Sequence, residues 1–272
     1  MKKALIFSIA LLSSLVLHGN AVAGKVVNLN YNDFSSTGGV TLSGAAGQVG
    51  NAIQLSTQNV KNVAGGVFFT TPVSVSRFSA EFTFQFSNTF GADGMAFVIK
   101  NSGSSGTGPG GLGVYGGGLG YSSIKKSIGI EFDSSINTGN GYNDFDGNHI
   151  AIDTNGSMNS LAQSNVPVLF NGTGVWHAWV DYDGIILSVS ANQSGVKPGT
   201  AMLSQNMDIQ SIVGSQTALV GFTAATGSNT QTTKLLSFSE SSPAPEPSTY
   251  VLMSVGAVIA VITARRKMLS AG

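Results

Sequence analysis

Residues 127–154 read SIGIEFDSSINTGNGYNDFDGNHIAIDT, alternating in polarity at both ends and uniformly polar in the middle. Ile128, Ile130 and Phe132 alternate with Gly129, Glu131 and Asp133. A period of two places the apolar set on one face of a strand and both carboxylates on the other. Ile150 and Ile152 alternate with His149, Ala151 and Asp153 in the same way. The segment between is too polar for a core and richer in oxygen ligands than a plain turn. Paired as a long hairpin, the two strands would project Glu131, Asp133 and His149 from one face. Above them the loop would offer Asn137, Asp144 and Asp146. That constellation points to a divalent-metal site.

The ligand types narrow the choice of ion. Calcium takes about six to eight oxygens from carboxylates, amides and backbone carbonyls. One imidazole among carboxylates suits a transition ion such as Mn2+ better. A Glu-x-Asp strand with a downstream His is therefore consistent with two neighbouring ions, one harder and one more tolerant of nitrogen. The plainer reading makes these residues solvated turn formers. It fits a lone Asp better than a cluster in a chain with 10% charged residues.

Outward from the hairpin, strands continue. Phe78, Ala80, Phe82, Phe84 and Phe86 alternate with Ser79, Glu81, Thr83 and Gln85, the pattern of a half-buried strand. Further strands are predicted at residues 95–100, 176–182, 185–190, 219–223 and 235–239. No long amphipathic helix stands out. Many strands, Gly and Asn turns and no βα alternation predict an all-β antiparallel sandwich. The chain has no cysteine, so no disulfide staples it and a large core must.

Both ends look like processing signals. Lys2 and Lys3, an apolar run over residues 4–17 and Ala21-Val22-Ala23 have the order of a secretory signal peptide cut after Ala23. At the other end Pro245-Glu246-Pro247 is followed by an apolar run over residues 250–264 and then Arg265, Arg266 and Lys267. That order is a linker, a short spanning helix and a basic stop, with the positive charges cytoplasmic. The expected organisation is therefore a signal peptide over 1–23, a domain over 24–241 and a sorting tail over 242–272. The zero net charge hides an acidic middle. Five of thirteen basic residues lie in the two end segments but only Glu246 of thirteen acids, leaving eight against twelve. A core near minus four argues against nucleic acid as a partner.

The hairpin resembles the metal loop of L-type (legume-type) lectins. Their pattern is roughly E-F-D-x-aromatic-x-N, a short insertion, then D-P-x-x-x-H-I-G-I-D. Glu131, Phe132, Asp133 and Asn137 fall on it. Asp144 stands five residues before His149, with Phe145 in place of the usual proline. The resemblance implies a concanavalin A-like jelly roll that holds calcium and also manganese or another transition metal. Glu131 and His149 would hold the transition metal, and Asp133 and Asp144 would bridge both ions. Asn137 and the backbone carbonyl of Ser135 would complete the calcium shell. Ser135 replaces an aromatic that in the family also stacks on the sugar, and the loop from Asn137 to Asp144 is longer than in the plant proteins.

Three more segments resemble the family's sugar loops. Ala92-Asp93-Gly94-Met95-Ala96-Phe97 is similar to A-D-G-L-A-F, whose Asp accepts from sugar hydroxyls after a cis peptide. Gly116-Gly117-Gly118-Leu119-Gly120-Tyr121 resembles the glycine loop that brings a backbone N–H to the ligand, through Gly117 and Gly118. The run from Gly221 to Gly227 resembles V-G-F-S-A-A-T-G, which leads into the specificity loop at Ser228, Asn229 and Thr230. Carboxylate and amide groups suit vicinal hydroxyls because they accept and donate in fixed directions. Tyr121, Tyr142 or Phe145 would replace the aromatic missing at 135, Tyr142 being preferred because the enlarged loop can fold it over the pocket. The C-terminal segment resembles the PEP-CTERM sorting tail of exopolysaccharide-producing Gram-negative bacteria, which exosortase cleaves near the motif. The expected partners are therefore glycans or exopolysaccharide, an exosortase-type enzyme and, transiently, a membrane. A homo-oligomer is a further expectation, since edge strands of such sandwiches often pair between subunits.

Two other readings compete. A glycoside hydrolase on a similar sandwich resembles E-x-D-x-x-E, but position 136 is Ile and no second Glu lies nearby. His177, in Trp176-His177-Ala178-Trp179, has no nucleophile-elbow signal to complete a triad. A matrix protein without a sugar pocket is the other alternative, kept alive by Ser135. The residues favour a secreted, non-catalytic, calcium-dependent carbohydrate-binding protein.

Overall fold

A computed structural model of the chain describes residues 26–87 and 91–243. The expected signal peptide, the Pro-Glu-Pro segment and the C-terminal helix lie outside the described residues. Among those described, no helix is long and apolar enough to cross a membrane.

Two eight-stranded antiparallel sheets dominate the structure. In one, the order is β16 (Leu203–Asn206), β15 (Ile186–Asn192), β14 (Trp176–Tyr182), β7 (Phe78–Ser87), β18 (Thr232–Pro243), β4 (Ala52–Ser56) and β3 (Gly47–Val49), with β1 (Val26–Tyr31) also on β18. In the other it is β13 (Ala162–Asn165), β12 (His149–Thr154), β9 (Ser127–Asp133), β8 (Gly94–Lys100), β17 (Thr217–Ala225), β5 (Ala64–Phe69) and β2 (Val40–Gly44), with β6 (Val73–Ser74) also on β17. A two-stranded ribbon, β10 (Thr138–Gly139) and β11 (Tyr142–Asn143), stands inside the 134–148 loop. The one α-helix among the described residues, α1 (Ile209–Val213), spans five residues. Most predicted strands appear and run longer than their patterns, because glycine and polar residues at their ends still pair. The stretch predicted over 219–223 extends over the whole of β17.

Alternation decides which side chains meet between the sheets. Phe82, Phe84 and Phe86 of β7 face Phe132 of β9, Phe97 of β8 and Phe222 of β17, with Phe170 and Trp176 completing the cluster. Each fully buried aromatic contributes on the order of 2–3 kcal/mol of transfer free energy. This aromatic core holds the sandwich without a disulfide.

The second sheet departs from simple alternation. β9 is buried at every position and β8 at all but its last. The far face of this sheet is roofed by the connection after β8. Leu112, Leu119, Tyr121 and Ile124 pack there on Phe68, Ala96, Val98 and Met158. The face carrying Glu131 and Asp133 is thus walled in rather than solvated.

Candidate metal and glycan site

The hairpin forms as expected. His149 of β12 lies opposite Asp133 of β9, Ala151 opposite Glu131 and Asp153 opposite Gly129. On the other side β8 places Gly94 against Asp133 and Ala96 against Glu131. Small neighbours at 94, 96, 129 and 151 leave the carboxylates room. His149 Nε2 lies 3.8 Å from Glu131 Oε2 and 3.8 Å from Asp144 Oδ1. One ligand atom each from Glu131, Asp133 and His149 fall within 4.8 Å of one another. His149 Nδ1 is 3.0 Å from the backbone oxygen of Asp146. That contact suits an N–H at Nδ1 and leaves the Nε2 lone pair facing the carboxylates, the usual support for a ligating imidazole.

The cluster is starved of positive charge. Glu131 and Asp133 are each 1% exposed, and the ion pair to lysine among the described residues, Lys197 with Asp181, is elsewhere. Burial pushes Glu131 up to about 8 and Asp133 well above the ordinary carboxylate range. Burial also raises Asp144, and raises Asp153 strongly, with the Glu131 carboxylate beside Asp153 adding to the rise. Uncompensated buried charges cost several kcal/mol each. Glu131 Oε1, Asn137 Oδ1, His149 Nε2 and both carboxylate oxygens of Asp153 are buried without a hydrogen-bond partner, although buried polar atoms are seldom left so. A divalent cation would answer both deficits, and an oxygen-rich set with one imidazole has the ligand types that calcium and a nitrogen-tolerant ion take.

The loop braces this set. The Ser135 N–H donates to Asp133 Oδ1 at 2.6 Å, and the Asn137 N–H donates to Asp144 Oδ2 at 2.6 Å. Asp144 returns its own N–H to the Asn137 carbonyl at 3.2 Å. The extra residues fold as the β10–β11 ribbon, turned at Asn140-Gly141 with positive φ at both, a favoured chemistry for a two-residue turn. The enlargement therefore projects as a hairpin and leaves the ligand spacing intact. Asp146 serves as support: Oδ1 accepts from the Asn148 N–H, Oδ2 accepts from Asn165 Nδ2, and its carbonyl meets His149.

Beside this cluster the ends of β8, β9 and β17 gather the other candidates. Asp93 donates its N–H to the Ala225 carbonyl at 3.1 Å, and its carbonyl accepts from both Ser134 N and Ser134 Oγ at 3.0 Å. The Ala92–Asp93 peptide is cis. Burial raises the Asp93 carboxyl to about 6, with the Gly227 N–H pulling the other way. A methyl group at Gly227 would sit 3.1 Å from Asp93 Oδ2 and 3.3 Å from the Gly116 Cα. One at Gly117 would sit 2.5 Å from Asn137 Cγ. Asp93, Gly117, Asn137 and Gly227 therefore adjoin, and the glycines are small because those polar side chains occupy the space. Ser228 lies exposed just beyond.

One expectation changes. Tyr121 is no sugar platform: it is fully buried, and its hydroxyl accepts from Ser127 Oγ and the Gly156 N–H. Gly118 is buried, and a methyl group on it would meet Ser122 and Val114, whereas one on Gly117 would meet Asn137. Phe145 is half exposed but its ring lies against His149, 5.6 Å between centroids. Tyr142 is half-buried and packs against the roof cluster. Burial pushes its hydroxyl pKa up, and the charges of Asp93, Glu131 and Asp144 add to the rise. Asp153 was legible as a same-face residue but not as a member of the cluster. The signal was its even spacing from His149, four residues on.

A two-sheet antiparallel sandwich with carboxylates, an imidazole and a glycine-lined Asp pocket at one sheet's end defines a lectin-type jelly roll. The chain belongs to the legume lectin domain family, whose pattern matches residues 26–252, and residues 243–267 match the PEP-CTERM protein-sorting motif. Among solved structures, the lectin from Bauhinia forficata in complex with GalNAc is 26% identical with a TM-score of 0.67, covering 80% of this chain and 98% of that one. Peanut lectin with a nine-residue peptide is 26% identical with a TM-score of 0.68, over 80% of this chain and 97% of that one. Curated relatives include the L-type lectin-domain containing receptor kinase SIT2 of Oryza sativa subsp. japonica, 28% identical over 72% of this chain and 33% of its own length. The L-type lectin-domain containing receptor kinase VII.1 of Arabidopsis thaliana is 28% identical over 87% of this chain and 37% of its own. The chain thus spans about a third of the length of these relatives. Family and fold indicate a carbohydrate-binding lectin, and the sorting motif indicates export signalling in a Gram-negative bacterium.

Proposed function

We propose that the chain is an exported, non-catalytic lectin that binds glycan or exopolysaccharide in a calcium-dependent manner at the Asp93 pocket. The observation that carries this reading is the adjacency of Asp93, Gly117, Asn137 and Gly227 to a buried carboxylate–imidazole cluster with unpartnered polar atoms. Asp133, Asp144, Asn137 and the Ser135 carbonyl would hold calcium, and Glu131 and His149 a transition ion such as manganese. When bound, the cations supply the positive charge that keeps these carboxylates ionised. The protein's part is to orient Asn137 and the loop, through the Ser135 and Asn137 N–H bonds, so that the pocket beside them keeps one shape.

In the pocket Asp93 accepts from sugar hydroxyls, Asn137 donates, and Gly117 lets the backbone approach. Bonds to an ionised Asp are worth about 1.5–3 kcal/mol each. Tyr142, held against the roof cluster, offers its ring to the sugar's apolar face. The burial of Glu131 and Asp133 speaks against the hydrolase alternative. Retaining chemistry needs two carboxyls about 5–5.5 Å apart on either side of a glycosidic bond, and a sugar has no route to groups so enclosed.

Export through a signal peptide cut after Ala23, a lectin domain to about residue 241 and exosortase-type processing of the tail, with only transient membrane attachment, complete the proposal. The product would reside outside the cell or on its surface. Isothermal titration against a glycan panel with calcium, and again with EDTA, tests the central claim. Saturable binding that EDTA abolishes is expected. Binding to no glycan in calcium would leave the matrix-protein alternative.

A further inference from the structure

The carboxylate–imidazole cluster and the Asp93 pocket occupy one end of the second sheet. At its other end, on the same roofed face, lies a separate cleft of about 360 Å3, within the ordinary range for small-ligand sites of about 300–1,000 Å3. Strand pairing assembles its floor. Thr41 of β2 lies opposite Phe68 of β5, Phe68 opposite Gly221 of β17, and Leu219 of β17 opposite Lys100 of β8. The Phe68 ring lies over Gly221, where an added methyl carbon would come within 2.5 Å of it. The wall is the loop that also makes the roof. Methyl carbons added at Gly110 and Gly111 would sit 3.2 Å from Ser43 Cβ and 3.3 Å from Ser105 Oγ. Gly94, next to Asp93, and Lys100 are the two ends of the seven-residue β8, about 20 Å apart at about 3.3 Å per residue. The cleft is therefore remote from the sugar pocket.

What sets the cleft apart is an ammonium without a counter-charge. No Asp or Glu lines it, although acids outnumber bases twelve to eight in the domain. Lys100 is half-buried, and its Nζ donates to the Ser104 carbonyl at 2.6 Å and stands 4.7 Å from the centroid of the Phe68 ring. An ammonium has three donors, and no carboxylate among the described residues pairs with this one. Burial holds its pKa below the ordinary lysine range, as expected of a charge that has lost water and gained no partner. Around it Thr41, Ser43 and Ser105 present hydroxyls that have no hydrogen bond among the described residues. Phe68 and Leu219 add apolar surface. A cation, open hydroxyls and an aromatic ring together suit a carboxylate carried on a hydroxylated ring. The acid meets the ammonium, the ring hydroxyls meet Ser and Thr, and the C–H face meets the apolar side chains.

We propose that this cleft binds a sugar acid, a uronate free or within an acidic polysaccharide. Lys100 pairs with its carboxylate, and Thr41, Ser43 and Ser105 bond its hydroxyls. The site needs neither the cations nor the Asp93 pocket, so one chain can hold a neutral and an acidic ligand at once.

The test titrates the full, calcium-loaded chain, unaltered and with Asp93→Asn to silence the sugar pocket, with D-galacturonate, D-glucuronate, D-galactose and inorganic phosphate. One uronate is expected to bind the Asp93→Asn chain at a single site with a Kd on the order of 1 mM, more weakly as salt rises because the pairing is ionic. Galactose, the same ring without the acid, should not bind that variant. Adding Lys100→Met, which keeps the length and removes the charge, should weaken the uronate about tenfold or more through loss of a charge-assisted bond. Ser43→Ala should weaken it several-fold, with the melt unchanged in both. Polygalacturonate in the same assay separates the sources, and binding of either the free or the chain-borne acid supports the site. Uronate affinity that survives Lys100→Met overturns the inference. So does phosphate that binds as tightly as the uronate, which would mark a plain anion trap, and so does a folded protein that binds no uronate. None of these results touches the Asp93 reading, which the EDTA-sensitive glycan binding of the unaltered chain decides by itself.

Discussion

Gly117→Ala isolates the link between the glycine loop and Asn137 without touching a charge. Gly117 does not have positive φ, so alanine suits its backbone, and the obstacle is steric. The new methyl carbon would lie 2.5 Å from Asn137 Cγ, 2.6 Å from Oδ1 and 2.7 Å from Nδ2. Ordinary contact begins at 3.4 Å, so the Asn137 side chain must retreat by about 0.9 Å, the difference from 2.5 Å, which is enough to break a well-aligned hydrogen bond. One lost bond to a sugar hydroxyl corresponds to about 1–2 kcal/mol, or about five- to thirtyfold in Kd. The fold should hardly notice, because Gly117 is part-exposed and such changes typically stay within about 0.5 kcal/mol. Titration calorimetry with the best glycan of a panel, paired with thermal melts, separates the two effects. An unchanged Kd with an unchanged melt would refute the placement of Asn137 in the pocket.

Other outcomes follow from the buried carboxylates and the neighbouring tyrosine. Glu131 titrates near 8 in the fold against about 4.3 in an unfolded chain. Between those values the metal-free native state binds more protons, so its stability falls as pH rises. Melts in EDTA should therefore show a higher Tm at pH 5.5 than at pH 8, and the opposite slope would contradict the burial argument. Glu131→Gln keeps the shape and removes the charge: the chelated protein should melt no lower than the parent. The Tm increment from manganese, worth about 2.7 kcal/mol at a hundredfold excess over Kd, should vanish, and its persistence in scanning fluorimetry would remove Glu131 from the metal set. Tyr142→Ala should weaken glycan binding several-fold by loss of one stacked face, and an unaltered glycan-array profile would reject Tyr142 as the platform.

How much of this could be read in advance depends on what each element contacts. The hairpin was legible because period-two alternation is a local property: Ile128, Ile130 and Phe132 need only the opposite sheet to bury them, and the facing carboxylates follow from the same count. The sandwich was legible from Phe78 to Phe86 for the same reason. Site assignments resting on resemblance fared unevenly where distant packing intervened. Tyr121 stands next to a glycine loop, but its ring lies over Gly129, where an added methyl carbon would come within 2.7 Å of it. Nothing at position 121 announces that glycine eight residues on. Gly117 and Gly118 are likewise indistinguishable by sequence, and only the turn between them decides which meets Asn137.

The roof over the second sheet also carries the deepest consequence for function. An exposed Glu131 would be solvated at little cost and would need no ion, since surface carboxylates keep their ordinary ionisation. Leu112, Leu119, Tyr121 and Ile124 remove that option by covering the face on which Glu131, Asp133 and Asp153 stand. Hydrophobic packing on one side of the sheet thus creates the electrostatic demand that a cation would meet. The same connection, after Leu112, carries Gly116 and Gly117 to Gly227 and Asn137 beside Asp93. Loosening the roof should then weaken metal and glycan binding together. Leu119→Ala, expected to lose about 2–5 kcal/mol of stability by cavity formation, should lower manganese affinity even at temperatures where the fold persists. Its backbone is left-handed at that position, which alanine tolerates no better than leucine, so the comparison reports on packing alone. Unaltered metal affinity in a folded Leu119→Ala protein would show that the cluster's demand for charge is set by the hairpin itself.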